Sequence, residues 1–364
     1  MIVAPWVGYL LALATAALVS MVLTPVAIRL AVRLGIMDRP GGHKSHESPT
    51  PYLGGLAMVI AFSATLLAAA LVEPPSSGYG ELAAVLGIAT ALAVVGLLDD
   101  LRGLGVAVRL GSQIAAAVGL WAAGVRVGLV PVEVAGVPVV DLLITVVWIV
   151  GITNAMNLLD NMDGLSAGIA TIAALWFGLI GALNGQVLVA ALAFALAGCA
   201  AGFLRHNRPP ARIYMGDAGS LFLGVVLAVL GVRLDFATDP ITAALIPILV
   251  LTVPVLDTTL VTIARLKHGI SPFQGGRDHI SHRLVRLGLP VPVAVGVVAV
   301  LGLAHGWMAL VLSRVDLATA LLGAGLVATI DLLLFALLAK VPVYDNSRGP
   351  DLVIAQRSSQ EESR

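Results

Sequence analysis

Four side chains capable of chemistry recur at a spacing of three: Asn154, Asn157, Asp160 and Asp163, at the end of an apolar segment long enough to cross a bilayer. Residues three apart share a face of a helix, so a helix here presents two amides and two carboxylates along one edge, aimed beyond the membrane. Bonds between neighbouring helices and a helix cap would account for one or two of the four. They do not account for the set.

Other polar segments carry further candidates. Asp99 and Asp100 are adjacent at the end of an apolar run, where they repel one another unless a cation or metal stands nearby; a salt bridge to Arg102 or Arg109 is the plain alternative. Met215-Gly216-Asp217-Ala218-Gly219-Ser220 leads into another apolar run. There Asp217 is either an N-cap or a hard oxygen ligand beside backbone amides that suit phosphate. The segment 38–55 holds Lys44, His46, Pro51 and the pair Gly54-Gly55, suited to an anion or to anchoring at the membrane surface. A long loop after the ninth apolar segment carries His268, His279, His282 and Arg283. Without further soft ligands, these suit phosphate better than a transition metal.

The elements that must position these residues are membrane helices. Hydrophobic residues make up 59% of the chain and charged residues 12%, with a mean hydropathy of +1.00, whereas soluble domains are about 25% charged. A span needs about 20 apolar residues, and the segments 7–30, 53–72, 82–98, 108–123, 139–157, 165–183, 187–204, 220–234, 241–263, 291–312 and 317–338 meet that description approximately. The expected fold is an all-α polytopic membrane protein with about 11 transmembrane helices. All but three of the 21 Lys and Arg residues fall on one side of this pattern, the exceptions being Arg126, Arg233 and Arg314. Basic residues are retained in the cytoplasm, so the N-terminus is expected outside, the C-terminus in the cytoplasm and the candidate residues on the cytoplasmic face.

A single transmembrane domain is expected over 1–344 and a polar, disordered tail over 345–364, with a small outer hairpin between Arg126 and Pro138. The first span is too long for a cleaved signal peptide. The one cysteine, Cys199, lies within a span and excludes a disulfide framework or a cysteine metal site. Asp257, inside the ninth span, is expected to pair with Arg265 or Lys267 or to stay neutral.

Five aspartates (Asp99, Asp100, Asp160, Asp163 and Asp217) thus share one face with histidines and arginines. Carboxylates beside cations point to a Mg²⁺-dependent reaction of a phosphate or diphosphate. A site at the membrane surface suits a water-soluble donor meeting a lipid phosphate. A secondary transporter is the alternative from another class, but it would place its binding groups near the midplane on interrupted helices, often in repeats. No repeat of fixed period is visible here.

The motif order resembles the polyprenyl-phosphate N-acetylhexosamine-1-phosphate transferases of the glycosyltransferase 4 type, over nearly the whole chain. The resemblance rests on Lys44, His46, Pro51, Gly54 and Gly55; on Asp99-Asp100; on the stretch from Asn154 to Gly164; on Gly216 to Ser220; on Pro254, Asp257 and Thr258; and on Ser271 to Leu284. The first motif is closer to the branch using UDP-N-acetylglucosamine than to the phospho-muramoyl-pentapeptide branch, which stays as the alternative. The resemblance implies transfer of a sugar 1-phosphate, most simply N-acetylglucosamine 1-phosphate, from a UDP-sugar to undecaprenyl or decaprenyl phosphate, with release of UMP.

The implied setting is a bacterial plasma membrane at the start of cell-envelope glycan synthesis, with Mg²⁺ or Mn²⁺ as cofactor. A homodimer is compatible with it and a nucleic-acid partner is not expected. The implied catalytic set is Asp99, Asp100 and Asp160, with Asp99 accepting a proton from the lipid phosphate or orienting it. Asp217 is the implied metal ligand, helped by Asp99 or Asp100. Asn157 and Asp160 would hold the diphosphate and ribose, Asp163 and Tyr214 the uridine, and His279, His282 and Arg283 the diphosphate or sugar. Lys44 and His46 would stand near the lipid phosphate. Two positions depart from the family pattern: Asn161 where glycine is usual, and Ser281 where a histidine is common.

Overall fold

The structure is a computed structural model and describes residues 3–38, 49–75, 78–128, 138–235 and 240–344. Lys44, His46, most of the expected outer hairpin and the tail over 345–364 lie outside the described residues.

Each expected apolar segment is helical. Among the described residues, nine helices are long and apolar enough to cross a bilayer: α1 (Val3–Leu34), α2 (Gly54–Val72), α3 (Tyr79–Arg102), α5 (Val139–Leu159), α6 (Leu165–Leu183), α7 (Val187–Asn207), α8 (Gly216–Arg233), α12 (Val291–Leu312) and α13 (Leu317–Ala339). The expected eleven are corrected in two places. The ninth segment is broken into α9 (Pro240–Val250) and α10 (Thr252–Lys267), bent by 73°. The fourth, α4 (Val106–Ala122), has only 17 residues, about 25 Å of helix against a hydrocarbon core of about 30 Å. It nevertheless runs antiparallel to α5, because Trp121 Nε1 at its far end donates to Asp141 in the first turn of α5 at 2.8 Å.

Helix α8 is the centre of the bundle: from Ala218 to Gly231 it is buried without a break, with α3 and α5 packed along it. Small residues permit that closeness. A Cβ on Gly224 would stand 2.6 Å from Thr153 Cα of α5, and one on Gly96 of α3 would stand 2.4 Å from the backbone carbonyl carbon of Asp217. The α1–α7 contact works the same way: Gly198 and Gly202, four apart, would each bring a Cβ to 2.2 Å from a carbonyl oxygen of α1. In hydrocarbon, where apolar side chains gain nothing by leaving lipid, such backbone approach is the main source of helix association.

Polar pairs add smaller amounts, about 0.6 kcal/mol on average for interhelical hydrogen bonds in a membrane. His305 Nε2 of α12 meets both carboxylate oxygens of Asp331 in α13 at 3.0 and 3.1 Å, with both residues buried.

Two short strands, β1 (Met37–Asp38) and β2 (Thr50–Pro51), pair antiparallel. They flank the segment of sequence that contains Lys44 and His46. A last helix, α11 (Ile280–Arg286), lies in the long segment between α10 and α12.

Candidate active site

At one end of the bundle the C-terminal ends of α3 and α5, the start of α8, the β1–β2 pair and the segment after α10 surround an open cavity of about 560 Å³. Asp100, Asp160, Asp163, Tyr214 and His282 are the expected residues on its wall. The wall also includes Asp38, Tyr52 and Arg277, which the motif reading did not single out.

The start of α8 is held by backbone and by a carboxylate from another helix. Gly54 N donates to Tyr214 O at 3.0 Å, Gly55 N to Met215 O at 3.0 Å and Tyr214 N to Pro51 O at 2.8 Å. Asp217 N donates to Asp100 Oδ1 at 3.0 Å and Ala218 N to Asp100 Oδ2 at 3.4 Å. Asp100 therefore caps α8 from 117 positions away in the chain. The first N–H groups of a helix have no intrahelical acceptor, and a carboxylate there gains about 1 kcal/mol from capping, with the helix dipole adding to it. Asp217 is thus not the N-cap. Gly216 adopts φ +67°, and a Cβ on it would stand 2.4 Å from Asp100 Oδ2, so glycine is needed there for two reasons.

Freed from capping, Asp217 presents its carboxylate sideways. Asn157 Nδ2 donates to Asp217 Oδ1 at 2.8 Å and is shared with Ser220 Oγ at 2.9 Å. Arg109 of α4 places Nη1 2.9 Å from Asp99 and 3.6 Å from Asp217. Both oxygens of Asp99 are occupied, the second accepting from Leu104 N at 2.6 Å, and the residue is buried. Neither Asp99, Asn157 nor Asp217 is on the cavity wall, although Asp217 directly follows the wall residue Gly216; Asp99 positions Arg109 and closes the turn between α3 and α4.

The ladder does not run as one helical edge. Helix α5 ends at Leu159, and Asp160 turns away with ψ 51°. Asn154, one turn further back, pairs its amide with Gln113 of α4 and stays out of the cavity. Past the turn, Asp163 Oδ2 accepts from Ala211 N at 2.8 Å, and Gly164 N donates to buried Asn207 at 3.0 Å. The Asp160 carboxyl has no hydrogen-bond or ion-pair partner among the described residues, although its backbone N–H donates to Asn157 O at 3.3 Å. Burial and then the charges of Asp217, Asp100 and Asp163 push its carboxyl from 3.8 up to about 8. The Tyr214 hydroxyl is raised to about 12, mainly by burial and then by Asp163.

That shift carries a stability sign. With the folded value above the unfolded one, the unfolded chain releases this proton first, so the free protein loses stability as pH rises from about 4 to about 8. Asp160→Asn is expected to raise the melting temperature of the ligand-free protein in detergent at pH 7.5, with the difference vanishing near pH 4. Equal melting temperatures at pH 7.5 would show that the carboxyl does not hold its proton.

The opposite wall is built on α10 and α11. Asp257 pairs with neither Arg265 nor Lys267: it accepts from Ile280 N at 2.7 Å and holds His279 Nδ1 at 2.7 Å, with all three residues buried. Arg265 instead meets both oxygens of Asp278 at 2.8 and 2.9 Å. His279 is consequently turned away from the cavity.

Arg283 is also placed elsewhere than expected. Its guanidinium donates to Asp278 O at 2.9 Å, Leu338 O at 2.9 Å and Val341 O at 3.0 Å, fastening α11 to the end of α13. Only His282 of the three does face the cavity. Burial, then the charges of His279 and Arg277, lower it to about 4, so it is a neutral hydrogen-bonding group at pH 7.

The two positions that depart from the family pattern are partners of one another: Ser281 Oγ donates to Asn161 Oδ1 at 2.7 Å. Asp38, Tyr52 and Arg277 carry no spacing signal, because each reaches the cavity from outside the long helices, at the β1–β2 pair or in the segment after α10.

The donor set suits a hard divalent cation better than a soft one, being carboxylate oxygens with one carboxyl unpartnered and under like-charge strain. Among the described residues, no group of three His, Cys, Asp or Glu side chains is arranged to hold a metal by itself.

Comparison with known proteins follows the same lines. The family described as "Glycosyl transferase family 4" matches residues 82–235. A "Probable undecaprenyl-phosphate N-acetylglucosaminyl 1-phosphate transferase" of Bacillus subtilis is 32% identical over 81% of this chain and 82% of that protein. A "Decaprenyl-phosphate N-acetylglucosaminephosphotransferase" of Mycolicibacterium smegmatis is 34% identical over 75% of this chain and 74% of that protein. A "Phospho-N-acetylmuramoyl-pentapeptide-transferase" of Mycolicibacterium vanbaalenii is 35% identical, but over 61% of this chain and 75% of that protein.

Proposed function

The chain belongs to glycosyl transferase family 4, and on that footing we propose that it transfers N-acetylglucosamine 1-phosphate from UDP-N-acetylglucosamine to a polyprenyl phosphate, releasing UMP. The Bacillus subtilis and Mycolicibacterium smegmatis relatives, which cover 81% and 75% of this chain, are named for N-acetylglucosamine 1-phosphate transfer to undecaprenyl or decaprenyl phosphate, and the muramoyl-pentapeptide relative covers 61% of it. The observation that carries the reading is the acidic cavity at one end of the bundle, with the Asp160 carboxyl unpartnered and pushed up to about 8 by burial and then by the charges of Asp217, Asp100 and Asp163.

In the reaction, an oxygen of the lipid phosphate attacks the sugar-bearing phosphorus in line. The bond from that phosphorus to the bridging oxygen breaks, and UMP departs with the electron pair. Such transfers depend on positioning and charge neutralisation more than on covalent help from the protein.

Asp160 suits the removal of a proton from a lipid phosphate monoanion, because it is the wall carboxylate with nothing else bound to it. Asp100 sets the start of α8 and so the position of Asp217. Asp163 and Tyr214, side by side on the wall, suit the hydrogen-bonding edge and flat face of the uracil. Arg277 and neutral His282, across the cavity, suit the diphosphate and sugar.

Asp217 would hold Mg²⁺ together with diphosphate oxygens, since Mg²⁺ normally takes one or two carboxylates and completes its shell with substrate and water. When bound, the ion would neutralise charge on the diphosphate and on the departing UMP. By the distribution of Lys and Arg, the cavity would face the cytoplasm and the protein would reside in a bacterial plasma membrane.

The test is UMP release by purified protein in detergent with undecaprenyl phosphate, Mg²⁺ and a panel of UDP-sugars. Release from UDP-N-acetylglucosamine is expected. Release only from UDP-muramoyl-pentapeptide would move the chain to the other branch, and no release from any donor would sink the reading.

A further inference from the structure

The cavity has two walls of different construction. The acidic wall, made by the ends of α3 and α5 and the start of α8, carries Asp100, Asp160, Asp163 and Tyr214; the other, made by the segment after α10 and by α11, carries Gly275, Gly276, Arg277 and His282. Asn161 stands between them. Its Nδ2 donates to Leu158 O at 2.9 Å, which ties it to the last turn of α5. Its Oδ1 accepts from Ser281 Oγ at 2.7 Å, across 120 positions of chain.

We propose that the Asn161–Ser281 hydrogen bond is a positioning latch that sets the distance between the two walls and so governs affinity for the sugar-nucleotide donor. Asn161 itself lines the cavity beside Asp160, whereas Ser281 is buried and precedes His282, a wall residue, by one position. Fixing Ser281 therefore fixes the direction in which His282 leaves α11. The rest of α11 is fastened outward, to α10 through Asp257 and to the end of α13 through Arg283. Those bonds hold the helix without drawing it toward the acidic wall.

The amide of Asn161 is also oriented by its two bonds, carbonyl toward α11 and NH₂ toward α5. A residue at 161 without that carbonyl leaves the Ser281 hydroxyl unpaired in a buried site, and alanine at 281 leaves the amide oxygen unpaired. Either loss weakens the same contact.

The inference rests on the proposed transfer reaction for its kinetic readout and on nothing but the protein for its second. Ser281→Ala is expected to raise the donor KM about fivefold, the size of effect for one net hydrogen bond, with kcat within about twofold of the parent. Ser281→Thr, which keeps the hydroxyl, is expected to restore the parent KM. Asn161→Ala is expected to match Ser281→Ala, with the double variant no worse than either single one.

Independently of activity, hydrogen exchange of the amides of 280–283 is expected to quicken in Ser281→Ala without ligand, while the melting temperature stays close to the parent value. An unchanged KM in an active variant, effects that add in the double variant, or unchanged exchange at 280–283 would each overturn the latch. If the parent releases no UMP from any donor, the exchange result alone decides it.

Discussion

Asp217→Asn is expected to lower kcat by about 100-fold or more, the range seen when a group that stabilises transition-state charge is removed. The variant keeps the size of the side chain, and its amide oxygen can still accept from Asn157 Nδ2, which stands 2.8 Å from the native carboxylate. The start of α8 is held by Asp100 and not by the Asp217 side chain, so folding should survive. What disappears is a negative charge next to Arg109 and within reach of Asp160. The Mg²⁺ concentration for half-maximal rate is therefore expected to rise as kcat falls. A rate undiminished at high Mg²⁺ would remove Asp217 from the site, and a matching loss of melting temperature would mark the residue as a packing element instead.

Gly55→Ala is expected to be as damaging by a different route. An added Cβ would stand 2.3 Å from Gly219 N and 2.6 Å from Gly219 Cα. These are backbone atoms of the central helix, so nothing can rotate aside. Overpacking in a core costs about 1–3 kcal/mol even when side chains can adjust, and here the accommodation must break the bond from Gly55 N to Met215 O. The expected result is a low yield of folded protein or a folded protein with little transfer activity, read by size-exclusion profile, melting temperature and UMP release. Gly87→Ala is the control, because nothing lies within 4 Å of its would-be Cβ, and it is expected to leave stability and rate near the parent values. A Gly55→Ala protein with parental stability and rate would show that α2 and α8 are not locked together.

Much of this organisation can be read in the sequence. Apolar runs of membrane length give the helices, and the interruption of those runs by motif segments gives the polar end where Asp100, Asp160, Asp163, Tyr214 and His282 meet. What the spacing cannot convey is direction about a helix axis and pairing across long stretches of chain.

Asn154 and Asn157 are three apart, yet the first turns to Gln113 of α4 and the second to Asp217 of α8, because each meets a different neighbour. The period of three then loses its meaning at Asp160, where the helix has ended. Asp100 looks like one half of a carboxylate pair and proves to be the cap of a helix 117 positions later. His279, His282 and Arg283 look like one basic cluster, but a short helix points them at α10, at the cavity and at α13 in turn. The Asp257 charge inside the ninth segment is explained only once the break between α9 and α10 lets it reach the start of α11.

The glycine contacts at the start of α8 have a mechanical meaning. Gly55 of α2 and Gly96 of α3 meet α8 backbone to backbone, with no layer of side chains between them to compress or rearrange. A displacement of any one of these helices is therefore passed whole to the other two, and Asp100 and Asp217 travel with them as parts of one rigid body. The cavity behaves like a vice with one fixed jaw, facing the jaw made by the segment after α10 and by α11.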